Sequence, residues 1–219
     1  MENIKNYKKL LLITLLLTLL PILPGLLLWN QLPERIAIHW GADGQANGWA
    51  GKPFAVFALP CMLAALHLFC VLFTLADPKK RNIHKKPLLL VFWMMPVLSI
   101  VMCGITYAIA LGMKIDVGIG ASLLIGILFI ILGNYMPKLR QNYTVGIRVP
   151  WTLNSEENWR RTHRLGGKLF IAGGFLLIIT GFLGRMLGDF GVFAALIAIA
   201  LICSGIPAIY SFCLYKKGV

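Results

Sequence analysis

The side chains that most readily do acid–base or metal chemistry are far apart along this chain. Its four histidines are His39, His67, His84 and His163, and long apolar runs separate them. A zinc site needs three or four ligands that converge on one point. The chain has neither the His-Glu-x-x-His pattern nor the Gly-x-Ser-x-Gly nucleophile elbow. The sequence therefore predicts no metal ligand, no cofactor and no catalytic residue, and the protein is not expected to be an enzyme.

One pair of carboxylates matches the spacing of a known catalytic motif. Glu156, Glu157 and Arg161 match the spacing Glu-Glu-x-x-x-Arg, which occurs in a family of intramembrane proteases. That chemistry needs the glutamates in a membrane helix and histidines on other spans. Here the motif lies in a strongly basic polar stretch, so the sequence argues against a protease.

The same stretch has a local explanation. Asn154 is predicted to cap a helix, and Glu157 at the third position closes a capping box. Two Glu–Arg pairs at i,i+4 spacing, 156–160 and 157–161, stabilise it further. Residues 155–165 are thus predicted to form an amphipathic helix at the membrane interface, with Trp159 directed toward lipid.

Composition identifies the environment in which these residues lie. Of the 219 residues, 58% are hydrophobic and only 13% are charged, and the mean hydropathy is +0.79. About 20 apolar residues span a bilayer as a helix. The uncharged runs predict one all-α integral membrane domain over residues 1–219: a six-transmembrane-helix bundle with a small extracellular cap and a cytoplasmic amphipathic helix. The predicted spans are about 10–29, 54–76, 87–111, 117–136, 167–186 and 190–215, with an extracellular loop at 30–53 and a cytoplasmic loop at 137–166.

The basic residues predict the orientation. Seventeen Lys and Arg residues, among them Lys5, Lys80 and Arg81, fall at the termini and in the even-numbered loops, whereas only four fall in the odd-numbered loops. Because positively charged loops stay inside, both termini are predicted to face the cytoplasm. Topology then explains the net charge of +13, and no direct nucleic-acid contact is inferred.

Carboxylates argue against one class of membrane protein. Ion-coupled carriers bury acidic residues in their spans, but all eight Asp and Glu residues lie in loops or at span ends. His67 is the one ionisable residue well inside a predicted span, and the sequence shows no acidic partner for it. A small uncoupled transporter or channel remains the alternative function.

Two further patterns predict structure. In the first loop, residues 36–40 alternate as a short strand, Gly-Ala-Asp-Gly supplies a turn, and residues 45–49 return as a second strand. The tryptophans there fit either an aromatic anchor or a recognition surface. In the fifth span a glycine stripe predicts close helix contact; it comprises Gly167, Gly174, Gly181 and Gly188, with Gly166 and Gly173 beside them.

Two segments carry a family resemblance. Residues 146–153 read GIRVPWTL and are followed by Trp159, Arg160, Thr162 and His163; residues 32–52 read LPERIAIHWGADGQANGWAGK. The first pattern resembles the signature of the bacterial SdpI family, and the second resembles a small domain of unknown function that precedes that signature. The GIRVPWTL stretch is expected to be an extended strap. It either closes the cytoplasmic face or presents a docking surface.

The resemblance implies a function. Proteins of the SdpI type protect a bacterial cell against a secreted peptide toxin that attacks its membrane. Some also act as receptors that hold a soluble helix-turn-helix repressor at the membrane, and anionic lipids are expected partners as well. The residues expected to meet the toxin are His39, Trp40, Asp43 and Trp49. The residues expected to meet the cytoplasmic partner are Arg148, Trp151, Trp159, Arg160, Arg161, His163 and Arg164.

Overall fold

The protein is a multi-pass helical membrane protein. Its structure, a computed structural model, describes residues 7–79 and 82–219 apart from the side chain of Arg185. Lys5, Lys80 and Arg81 of the charge pattern lie outside the described residues. Within the described residues, six helices are long and apolar enough to cross a membrane, so the predicted fold class is confirmed. They span Lys8–Leu27, Phe54–Leu75, Lys85–Ala110, Val117–Lys138, Glu156–Phe182 and Met186–Lys216.

The first compact unit contains three of these spans. Helix α1 (Lys8–Leu19) is followed by α2 (Ile22–Leu27), and the break falls at Pro21, which lacks a backbone N–H. A π-helical turn (Phe54–Ala58) leads into α3 (Leu59–Leu75), and α4 runs over Lys85–Ala110. The core of this unit is apolar and comprises Leu32, Ile36, Ala55, Val56, Cys103 and Tyr107.

A β-hairpin lies between α2 and α3. Strands β1 (Arg35–Trp40) and β2 (Ala46–Gly51) pair in antiparallel register, with irregularities between Ala37 and Trp40. Gly44 in the connecting turn has φ +69°, a conformation that side chains with a Cβ rarely adopt. The predicted hairpin is confirmed, and each strand is one residue longer than expected: β1 begins one residue earlier, and β2 begins one residue later and ends two residues later.

The second compact unit contains the other three spans. Helix α5 (Val117–Tyr135) begins at Asp116, whose carboxylate accepts a hydrogen bond from the Ile119 N–H, and ends in a 3₁₀ turn (Met136–Lys138). A short helix α6 (Pro150–Asn154) precedes α7 (Glu156–Phe182). Helix α8 (Gly184–Lys216) is kinked at Gly188, whose φ is +68°. The unit also includes residues 42–44 of the hairpin turn and residues 77–87.

The fifth span differs from its prediction. Helix α7 begins at Glu156, so the basic stretch and the apolar stretch form one continuous helix instead of an interfacial helix followed by a separate span. Its N-cap is Ser155, which accepts from the Asn158 N–H, and the predicted cap at Asn154 is therefore wrong. Trp159 is only 2% exposed, so it is packed inside the protein and does not face lipid.

Glycines bring α5 and α7 into backbone contact. A Cβ on Gly174 would lie 2.5 Å from the Gly126 carbonyl oxygen, and one on Gly167 would lie 2.7 Å from that of Gly133. The predicted stripe on α7 is confirmed at Gly167, Gly174 and Gly181. It is wrong at Gly188, which lies on α8 and where an added Cβ would have nothing within 4 Å. The facing glycines of α5 were not recognised from the sequence.

Candidate functional site

A buried lysine anchors the hairpin of the first unit. Lys52 follows β2, and its ammonium group donates to the carbonyl oxygens of Trp29 and Leu32, both at 3.1 Å. It also lies 2.9 Å from the carboxylate of Glu34 and 5.1 Å from the centre of the Trp29 ring. The side chain of Lys52 is 8% exposed, whereas that of Glu34 is 86% exposed. A buried charge is stable only when it is paired and hydrogen-bonded. The Lys52 cluster therefore fixes the end of β2 against the segment that connects α2 to β1.

The hairpin presents polar and aromatic groups on its surface. His39 is exposed, and its Nδ1 lies 2.6 Å from the Asn47 side-chain oxygen across the strands. Trp49 is 53% exposed, which is unusual for an indole in a structured strand. Trp40 is half-buried, and Asp43 lies exposed in the connecting turn. All four residues expected to meet the toxin therefore belong to one hairpin and have solvent-accessible surface.

The polar segment of the second unit, residues 137–166, is organised by two adjacent amides. Asn142 is fully buried; its Oδ1 accepts from the N–H groups of Thr144 and Val145, at 3.0 and 2.7 Å. Its Nδ2 donates to the carbonyl oxygens of Arg140 and Val145. Gln141 donates from Nε2 to the carbonyl oxygens at 152 and 153, at 2.9 and 2.8 Å. The loop backbone is thus held by side chains instead of by a sheet or helix ladder.

A buried carboxylate joins the preceding loop to this segment. Asp77 is 3% exposed, and its Oδ2 accepts from the Tyr143 N–H and the Thr144 hydroxyl, both at 2.8 Å. Its Oδ1 accepts from the Lys79 N–H at 2.7 Å. The Lys79 ammonium in turn donates to the Gln141 side-chain oxygen at 2.6 Å. Residues 77–79 and 141–144 therefore fold as one polar cap.

The GIRVPWTL stretch is part strap and part helix. Val149 is extended (φ −111°, ψ 157°), as expected for a residue before proline. Pro150 then occupies the first turn of α6, where its missing N–H costs nothing. The Thr152 hydroxyl accepts from the Val149 N–H at 3.0 Å and lies 2.9 Å from the Ile147 carbonyl oxygen. The predicted strap is correct up to Val149, but residues 150–154 are helical.

His163 holds the start of this stretch. Its Nε2 accepts a hydrogen bond from the Ile147 N–H at 2.9 Å, which leaves Nδ1 to donate to the Trp159 carbonyl oxygen at 2.8 Å. This pair of partners selects the neutral tautomer with its proton on Nδ1. Gly146 has φ +122° and packs directly on His163, so no side chain fits there. The Trp159 ring stacks on the imidazole at 3.9 Å, and its Nε1 donates to the Leu139 carbonyl oxygen at 2.8 Å.

The end of α8 closes the cap. Asn158 is fully buried, and its amide makes hydrogen bonds to Ser211, Thr162 and the Val219 carbonyl oxygen. Trp151 packs on Phe212 and Tyr215, with ring centres 5.2 and 6.2 Å away. Trp151 therefore docks this stretch onto α8.

The residues expected to meet a cytoplasmic partner divide into two groups. Arg148, Arg160, Arg161 and Arg164 are exposed, and Trp151 is half-buried. Trp159 and His163 are buried, so the expectation that they contact a partner directly is corrected. These two side chains hold the loop in position instead. Sequence reasoning missed Asp77, Gln141, Thr152 and Asn158. Their sole sequence signal is polarity beside apolar spans, which exposed residues share.

The histidines do not form a metal centre in the part of the chain that the structure describes, where no group of three potential ligands was found. His67 is fully buried on α3, and its Nε2 lies 2.9 Å from the Thr14 hydroxyl on α1. The Thr14 hydroxyl also lies 3.0 Å from the Leu10 carbonyl oxygen, to which it can donate while accepting from His67. His67 therefore links two spans.

These features define a multi-pass membrane protein with a hairpin between its first two spans and a hydrogen-bonded polar cap before its fifth. Comparison with known proteins shows two regions of similarity. The profile of the SdpI/YfhL protein family matches residues 138–211, which include residues 141–144 of the polar cap, and a domain of unknown function, DUF1648, matches residues 16–64, which include the hairpin. Residues 138–211 are thus similar to the SdpI/YfhL family, and the predicted resemblance is confirmed.

One curated relative matches nearly the whole chain. The immunity protein SdpI of Bacillus subtilis (strain 168) is 28% identical over 205 residues, which cover 94% of this chain and 95% of that protein. No solved structure matches this chain significantly. The similarity therefore extends beyond the signature through both compact units.

Proposed function

We propose that this protein is an immunity protein that protects a bacterial cell from a secreted, membrane-active peptide toxin. The observation that carries the proposal is the near full-length similarity to the immunity protein SdpI. Similarity across both the hairpin and the polar cap favours a shared activity over a shared signature alone.

The hairpin is the proposed toxin contact. It carries an exposed indole, an imidazole and a carboxylate, at Trp49, His39 and Asp43. An apolar, cationic peptide matches that combination, because indole rings bind apolar side chains and the carboxylate attracts positive charge. The Lys52 anchor holds the strands in place without contributing to the exposed surface. A preformed contact surface loses little conformational freedom on binding.

The proposed orientation places the hairpin outside and the polar cap in the cytoplasm. The support is the uneven distribution of Lys and Arg, seventeen against four. In this orientation the hairpin meets a toxin that arrives from outside, and the cap faces soluble proteins.

The cap is the proposed site of a second, receptor function: capture of a soluble helix-turn-helix repressor. Its support is a surface that carries the exposed arginines Arg148 and Arg160 and the half-buried Trp151. Exposed arginine and aromatic groups on a fixed backbone are typical of protein-binding surfaces. Trp159 and His163 would contribute indirectly by holding that backbone.

Separate variants of the two surfaces test this division. Trp49→Ala with Asp43→Ala should lower survival of toxin-exposed cells while repressor recruitment to membranes persists. Arg148→Gln with Arg160→Gln should lower recruitment and spare survival, because direct contacts made on one face of a bilayer about 30 Å thick do not reach the other. Gln31→Ala, an exposed position just before the hairpin, is the control at matched expression. Equal loss of both activities in both variants would contradict the division.

A further inference from the structure

A basic groove lies on the second unit between α7 and α8. Its volume is about 410 Å³, and Arg161, Arg164, Leu165, Lys168 and Tyr210 line it. Positions 161, 164 and 168 recur at helical spacing, so the three cations share one face of α7. Tyr210 reaches the groove from α8 and is 37% exposed. The groove therefore combines three positive charges with one phenol.

The positive charge of this groove is largely uncompensated. Among the described residues, the salt bridges of α7 are confined to Glu157, which contacts both Arg160 and Arg161. One carboxylate shared by two arginines leaves a net positive charge. Arg164 and Lys168 lie one and two turns further along and are exposed. An anion in the groove would meet the guanidinium of Arg164 and the ammonium of Lys168 together.

The groove lies at the boundary between the polar segment of this unit and the apolar parts of its helices. On the 3₁₀ turn after α5, Pro137 lies 2.8 Å from the position that a Cβ on Gly167 would occupy. The next residues along the chain, Lys138 and Lys168, therefore lie at about the same height along the helices of this unit. A second basic groove, lined by His84, Lys85, Lys86, Pro87, Tyr135 and Lys138, shares that level. Two cationic, tyrosine-bearing grooves at one level are expected where helices cross the headgroup layer.

Exposed apolar side chains continue from the groove along both helices. On α8, Ile206 and Ile202 lie four and eight residues before Tyr210 and are 44% and 50% exposed. On α7, Phe175 lies two turns beyond Lys168 and is 55% exposed. A ligand with an anionic head and long apolar chains would satisfy the groove and this strip together.

We propose that the α7–α8 groove binds the phosphate-bearing headgroup of an anionic phospholipid, with acyl chains against Phe175, Ile202 and Ile206. The Arg164 guanidinium and the Lys168 ammonium contact the phosphate oxygens, and the Tyr210 hydroxyl donates to the headgroup. The site is independent of the proposed immunity function, because it requires only that these helices cross the membrane.

Lipid titration of the purified full chain tests the site. Phosphatidylglycerol would be added to the protein in detergent, with bound lipid counted by native mass spectrometry, and phosphatidylcholine as the neutral probe. Each basic residue near anionic lipid strengthens binding by about fivefold. Arg164→Gln with Lys168→Gln should therefore weaken phosphatidylglycerol binding by roughly tenfold or more. Arg161 is left in place because it binds Glu157.

Matched controls separate this site from general charge effects. Arg35→Gln with Lys114→Gln removes the same charge from exposed positions outside the groove and should leave binding unchanged. Tyr210→Phe keeps the ring and should weaken binding less than the charge variant does. Unchanged binding in the Arg164/Lys168 variant, or equal loss in the Arg35/Lys114 control, would overturn the proposal. Displacement of the lipid by inorganic phosphate alone would show a site for free anions instead. Unchanged lipid binding with lost repressor recruitment would assign the cations to protein docking.

Discussion

Asn158 on α7 and Ser211 on α8 bind each other twice within the protein interior. The Asn158 Nδ2 donates to the Ser211 carbonyl oxygen at 3.0 Å, and its Oδ1 accepts from the Ser211 hydroxyl at 2.5 Å. Neither side chain is exposed to solvent. This reciprocal contact ties the start of α7 to the end of α8 and so fixes the helix that carries Trp159 and His163.

Asn158→Leu keeps the approximate side-chain volume but removes the hydrogen bonds to Ser211, Thr162 and Val219. Leaving buried polar partners unsatisfied should destabilise the protein by about 1–3 kcal/mol. Asn154→Leu, at an exposed position of α6, is the control and should change little. Thermal unfolding in detergent measures both variants. Equal melting temperatures for Asn158→Leu and the parent protein would show that the contact contributes nothing to stability.

Gly174→Leu tests the close approach of α5 and α7. A Cβ at this position already meets the Gly126 carbonyl oxygen and the Ile130 backbone. A larger side chain should force the helices apart and cost about 1–3 kcal/mol or more. Gly205→Leu on α8 has open space around it and serves as the matched control. If both substitutions had the same effect on thermal stability, the glycine contact would not be what holds this pair together.

Lys52→Met tests the hairpin anchor. Methionine preserves the apolar stem but loses the hydrogen bonds to Trp29 and Leu32 and the ion pair with Glu34. Hydrogen exchange across residues 35–51 should accelerate, and survival of toxin-exposed cells should fall because the contact surface is no longer held. Lys114→Met, at an exposed position, is the control. Unchanged exchange in Lys52→Met would contradict an anchoring role.

The charge pattern predicts the orientation. Reporter fusions after Lys52 and Asp116 should be extracellular, and fusions after Lys86 and Val219 should be cytoplasmic. A cytoplasmic reporter at Lys52 would place the hairpin away from an arriving toxin and would contradict the proposed toxin contact.

Sequence periodicity predicted the parts of the fold that follow from local chemistry. Six apolar runs gave six spans, and alternation around Trp40 gave the hairpin, because burial in lipid and strand pairing both impose regular spacing. The same reasoning failed where contacts link distant residues. Nothing local distinguishes the buried Trp159 from a tryptophan in an aromatic belt, since the difference depends on the Leu139 carbonyl oxygen twenty residues away.

The candidate site shows the same division. The exposure of His39 and Asp43 follows from their place in a short polar loop, and the prediction could name them. The structural roles of Asp77 and Gln141 depend on hydrogen bonds between two loops, and the properties of single residues do not predict such bonds. Continuity of α7 through residues 156–182 was missed because a change from basic to apolar composition suggested a boundary, although helix hydrogen bonding does not require one.

Survival of a deletion strain tests the immunity claim most directly. The gene would be deleted in the bacterium that encodes it, and the strain would be exposed to the peptide fraction that its parent secretes. The immunity account predicts that the deletion strain is killed, that the restored gene rescues it, and that the Trp49→Ala, Asp43→Ala variant at matched expression rescues it less. A deletion strain that grows as well as its parent in that peptide fraction would contradict the claim.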